Sequence, residues 1–217
     1  MNVQPGSEGV IAETRTWLER AVIGLNLCPF AKPVHLNNLV RYFVSDARSL
    51  ARLREDLMAE LRELDAADPA QCETTLLIHP HVLADFSDYN DFLAQADDAV
   101  RELALEGVIQ VASFHPRYQF EDAGPDDIEN YTNRSPYPML HLLRESSVER
   151  AVTTYPDTTA IYRKNIETLR RLGHEGWRRL WLAEVSREGR VRRDRESAPK
   201  NALTAKDAKD AKERRKE

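Results

Sequence analysis

Three short apolar runs, Leu39 to Val44, Thr74 to Ile78 and Val108 to Ala112, alternate along the chain with two helical stripes, and no other feature constrains the fold as much. The first stripe sets Leu50, Leu53, Leu57, Leu61 and Leu64 at intervals of three and four, which places all five on one helix face. The second does the same with Phe92, Ala96, Val100 and Leu103, with Ser87 expected as its N-cap and Gly107 as its stop. Each connection is long enough for a crossover, so the pattern predicts an α/β fold: a small parallel three-stranded βαβαβ sheet covered by helices. The continuous apolar run Leu76-Leu77-Ile78 suits a sheet buried on both faces. A ferredoxin-like α+β sheet is the alternative. Val10 to Leu27 reads as a first helix, ended by Pro29 and Pro33, and Ile161 to Leu172 as a last one.

At 217 residues and 41% hydrophobic, the chain is long enough for one sizeable core. The expected organisation is a single domain over residues 10–185, a flexible start over 1–9, and a charged, low-complexity and disordered tail over 186–217 that includes a repeat from Ala205 to Glu213. From Arg187 to Glu217 there are 12 Lys/Arg against 7 Asp/Glu, a balance of +5; the total of −5 then leaves −10 for residues 1–186. An acidic body without a basic face is a poor match for nucleic acid, whose binding rests on phosphate neutralisation. Residues Met1 to Gly9 carry no basic start and no apolar run, and no stretch approaches the roughly 20 apolar residues that span a bilayer. The expectation is a cytoplasmic protein with no membrane partner. Cys28 and Cys72, outside any Cys-x-x-Cys pair, fit reduced thiols.

Ligands of open α/β sheets sit beyond the carboxyl ends of the strands, and both His79-Pro80 and His115-Pro116 fall at such exits. Two imidazoles are thereby expected near one edge. His81 adds an alternating His-Pro-His, a spacing that metal sites use, although no carboxylate partner accompanies it. The polar stretch from Asn130 to Pro138 runs into the apolar Met139 to Leu143. Ser135 before Pro136 resembles an N-cap and first helical position, so a helix is expected there, its free N–H groups forming an anion site with Asn133 and Arg134. On that helix His141 and Glu145 would share a face as an acid–base dyad, with Arg144 close by and Tyr131 in the preceding loop. The plain alternative is that Arg134 and Glu145 make structural bridges while Tyr131 and Tyr137 pack the loop. Cys28 is a candidate nucleophile if His115 or His141 meets it in space, and otherwise a small buried hydrophobe.

Leu27-Cys28-Pro29-Phe30-Ala31, Phe114-His115-Pro116 with Tyr118 and Phe120, and Asn130 to Pro138 leading into His141-Leu142-Leu143-Arg144-Glu145 together resemble the bacterial domain-of-unknown-function family 1415. The resemblance spans about residues 10 to 173. It implies a protein domain and no reaction, so no catalytic residue follows from it.

The first reading is a small enzyme acting on an anionic metabolite or an acyl or phosphoryl compound. Asn133, Arg134, Ser135, Arg144 and Tyr131 would hold the anion, His115 or His141 would exchange protons, and Cys28 would be the nucleophile. A non-catalytic ligand- or protein-binding module is the second, and a metalloprotein built on His79, His81 and His115 the third. No Gly-x-Gly-x-x-Gly follows a predicted strand, and neither a Gly-Lys-Ser/Thr loop nor a Gly-x-Ser-x-Gly elbow occurs, which argues against dinucleotide, P-loop and serine-hydrolase chemistry.

Overall fold

In the computed structural model, which describes residues 6–154 and 158–196, the two leucine- and phenylalanine-rich stripes fold as the long helices α3 (Leu50–Ala66) and α4 (Phe86–Glu102). Ahead of them come α1 (Ser7–Trp17), α2 (Ala31–Leu36) and β1 (Val40–Val44); β2 (Thr74–Ile78) separates α3 from α4, and β3 (Ile109–Phe114) follows. Leu53, Leu57, Leu61 and Leu64 are all 0% exposed, whereas Leu50, in the first turn, is 42% exposed and leaves the stripe. Ser49 caps α3 by accepting the Arg52 N–H. At α4 the cap is Asp85, which accepts the N–H of Ser87, the residue expected to cap. That helix ends on Ala104, at φ 54°, with the Leu105 N–H reaching back to Val100 O, so the left-handed stop falls three residues before Gly107.

The sheet has four strands in the order β1-β2-β4-β3. β1 and β2 pair in parallel, and β3 points the same way, so the three expected strands do share a direction. The correction is β4 (Met139–Arg144), which lies antiparallel between β2 and β3 and makes the sheet mixed. The resulting order β-α-β-α-β-β also departs from the ferredoxin-like β-α-β-β-α-β.

Residues Met139 to Arg144 were expected to be helical, and the reason they are not is visible on both sides. Ser135 and Tyr137 each precede a proline, which disfavours helical backbone at both positions. A six-residue apolar run satisfies either period, and here two flanking strands supply partners for every backbone group.

Alternation divides the strands between two faces. Leu77, Leu140, Leu142 and Ile109 face α3 and α4 in one continuous core. On the opposite face, Phe114 meets Trp17 of α1 edge to face at 5.4 Å and Tyr42 lies under Arg15 at 5.0 Å. Beyond Trp17 the first helix widens into a π-helical turn, Leu18–Ile23, that buries Leu18, Ala21 and Val22. Gly24 closes it where a Cβ would stand 2.3 Å from Arg20 O. α2 contains Pro33 but only in its opening turn, where proline is tolerated.

After β4 come α5 (Glu145–Thr154) and α6 (Thr158–Glu196), the latter broken at Gly173, whose φ of 64° and ψ of 173° end the stretch begun at Thr158 close to the expected Leu172. The chain divides into two units between Glu175 and Gly176. Of the expected tail, residues 186–196 continue α6, and residues 197–217 lie outside the described residues, as do 1–5 at the start. No helix among the described residues is long and apolar enough to cross a membrane.

Candidate functional site

Both His-Pro exits place their imidazoles on the α4 side of the sheet, because His79 and His115 alternate with Ile78 and Phe114 on the other face. Both are 0% exposed. The ring of Tyr89, from α4, lies against each of them: its centroid is 5.9 Å from His79, nearly parallel, and 5.0 Å from His115. Its hydroxyl donates to Met139 O at 2.8 Å and accepts the Phe114 N–H at 3.1 Å, which fixes the ring to both β4 and β3. Phe86 closes the cluster at 5.3 Å from His115.

Over the two histidines runs a strap of five residues, Pro80 to Ala84. The His79 Nδ1–H donates to Val82 O (3.3 Å) and the His115 Nε2–H to Leu83 O (3.1 Å). The Nδ1 of His115 accepts the Arg117 N–H at 3.0 Å, so that ring has a partner on each nitrogen and is held neutral in one tautomer. His79 differs. Its Nε2 is buried and has no hydrogen-bond partner. Burial, aided by the proximity of His115, lowers the pKa of His79 to about 4, and burial also lowers that of His115. At neutral pH the Nε2 of His79 is therefore a free lone pair in an apolar setting.

The strap is held from outside by Arg117, whose Nη2 donates to Ala84 O at 2.7 Å and meets Asp85 Oδ2 at 3.0 Å. Leu83, its fourth residue, has a φ of 59°, a left-handed backbone that is costly for a branched side chain. His81 is partly exposed within the strap, and among the described residues no three of His, Cys, Asp and Glu converge on a point that could hold a metal ion.

Of the other residues singled out in the sequence, Asn133 meets this pair through its backbone, its carbonyl accepting the His115 N–H at 3.2 Å. His141 is on the opposite face of the sheet. There the Thr74 hydroxyl donates to Leu142 O (2.6 Å) and accepts the His141 Nε2–H (2.7 Å), while burial holds the His141 pKa at about 4. Since β4 is a strand and Glu145 opens α5, the helical spacing behind the His141–Glu145 dyad does not exist. The anion site on a helix start is absent for the same reason, Ser135 instead donating to Tyr137 O. Arg134 donates to Tyr118 O and Pro125 O and lies over Tyr131 at 4.5 Å, and Asn133 donates to Ser113 O. These donors hold their own loop in shape. Arg144 is buried and reaches the end of α3. The Cys28 thiol is pushed above its ordinary pKa by burial, against the opposing pull of the Phe30 and Ala31 N–H groups.

Tyr89, Arg117 and the strap carbonyls were not among the residues the sequence pointed to. Tyr89 was within reach, since it continues the stripe of Phe92, Ala96 and Val100 by one step of three. Nothing in the local sequence marks Arg117, whose partners lie 32 and 33 residues away.

A family model described as a protein of unknown function (DUF1415) matches residues 9–179. No curated protein and no solved structure matches the chain.

Proposed function

Since this chain belongs to the DUF1415 family of proteins of unknown function, its activity has to be argued from its own residues, and we propose that it is a small cytoplasmic enzyme acting on an anionic small molecule, with His79 as the proton acceptor. The observation that carries this reading is the unpartnered Nε2 of a fully buried imidazole. A buried polar atom left without a partner costs stability, and such atoms call for a reason. Here the atom sits at the carboxyl end of a β-strand, where open sheets bind ligands, beside a second imidazole held in one tautomer. A neutral imidazole with its lone pair free has the protonation state a general base needs. His115, with both nitrogens engaged, is a positioning residue that holds the strap and the Tyr89 ring. The free thiols Cys28 and Cys72 suit a reducing cytoplasm.

A thermal-shift screen of anionic metabolites on the wild type and on His79→Gln tests this. The expected result is a compound that raises the Tm of the wild type, is converted by it, and is no longer converted by the variant. A stabilising compound that the variant converts at the wild-type rate would remove His79 from the chemistry.

A further inference from the structure

If the His79 site takes an anion, a cation has to meet it; Arg134 holds the carbonyls of its own loop, whereas Arg117 touches the histidine pair itself, its N–H on His115 Nδ1. We propose that Arg117 is the anion receptor of this site and that an oxyanion drawing its guanidinium away from both Asp85 and Ala84 O releases the strap over His79. The proposal rests on the site reading above.

Three consecutive strap carbonyls, those of Val82, Leu83 and Ala84, accept hydrogen bonds from His79, His115 and Arg117 in turn. Two of these donors are buried imidazoles beneath the strap. The third is a guanidinium whose side chain is 63% exposed, paired with a carboxylate 55% exposed. An exposed pair of this kind is weak, and here it rests on Nη2, which is shared with Ala84 O; a phosphate or carboxylate that met the guanidinium fork through two parallel bonds would hold it better. Arg117 is thus the one of the three that a solute can reach.

Asp85 does not depend on that pair, because its Oδ1 caps α4 through the Ser87 N–H while Oδ2 meets Arg117. Loss of the pair therefore leaves α4 intact. When the anion also draws the guanidinium off Ala84 O, the outer restraint is gone from a segment whose fourth residue, Leu83, is held at a φ of 59°, and release lets that residue return to ordinary backbone. Release also breaks the strap's hold on the His79 ring, which is bonded to Val82 O through Nδ1 and whose Nε2 is unpartnered. The Arg117 backbone also touches the pair directly, its N–H on His115 Nδ1, so an anion on this residue is delivered to the edge where the imidazoles sit.

The test is the rate at which diethyl pyrocarbonate modifies His79, read by peptide mass spectrometry with and without inorganic phosphate. His141, half-buried on the other face and away from the strap, is the internal control. In the wild type, phosphate should raise the His79 rate several-fold and leave His141 unchanged. Arg117→Ala should raise the His79 rate without phosphate and abolish the phosphate response, and Arg117→Lys should keep a weaker response. An unchanged His79 rate with phosphate, or a rise shared equally by His141, overturns the proposal. The two readings fail separately. A His79→Gln protein that binds phosphate as the wild type does, by calorimetry, yet converts substrate normally would end the proton-acceptor reading and leave the Arg117 receptor standing.

Discussion

Arg144 illustrates how much one side chain can hold. Its Nη2 donates to Leu64 O at 2.5 Å and Ala67 O at 2.6 Å, and both Nη2 and Nε reach Cys72 O. Leu64 and Ala67 lie at the end of α3, where carbonyls have no helical partner and the dipole is negative, so a cation there is doubly favoured. Only 7% of the residue is exposed, and truncation would leave those carbonyls dry and unpaired. Arg144→Met should cost about 3 kcal/mol in urea denaturation, the range for loss of buried charged hydrogen bonds. Arg144→Lys should recover part of this and not all, since an ammonium cannot reproduce the fork. Its place in the sequence, next to Glu145 at the end of an apolar run, suggested a ligand-binding arginine. A buried arginine and an exposed one are written the same way, and only the strand that carries it says which it is.

Among the elements, α4 shows a local rule broken at small cost. Ala104 occupies the left-handed position after the helix, where glycine or asparagine is usual; Asn38 does so after α2 and Asn26 after the π-helical turn. Ala104 is exposed, so nothing is lost from the core by removing its Cβ. Ala104→Gly should raise stability by about 1 kcal/mol, measurable as a higher Tm with an unchanged far-UV spectrum. The same elements define what could be read from the sequence. α3 and α4 were legible because each repeats a helical period over 17 residues, the first three strands because their short β-branched and aromatic runs are set off by those helices, and the His-Pro exits marked the right edge of the sheet. β4 was not. Six apolar residues carry no decisive period, and their conformation is set by β2 and β3, whose partners are 61 to 69 residues away for β2 and 25 to 35 for β3. Because β4 is a strand, the helical dyad and the helix-start anion site do not form, and the strap is hidden in the sequence because two of its three bonds, from His115 and Arg117, join distant segments.

For the whole molecule, two histidines of depressed pKa tie stability to pH. His79 and His141 have folded pKa values near 4 against an ordinary 6.5, so between these limits the unfolded chain binds the more protons. Their contribution is complete above about pH 6.5 and is lost as pH falls toward 4, at no more than about 1.4 kcal/mol per pH unit for each. Denaturation curves at pH 7 and pH 5 should show the loss, and His79→Gln should flatten the slope; equal stability at the two pH values would contradict the neutral state of both rings. The sheet order carries a different consequence. Its third strand in space is its last in sequence, so while the chain is being made β2 and β3 stand with open edges until residue 144 has left the ribosome. Unpaired edges are templates for other chains. Synthesis that stops before Met139 therefore leaves a product with the core helices, three strands and no means of joining the third, a species suited to aggregation and to capture by chaperones.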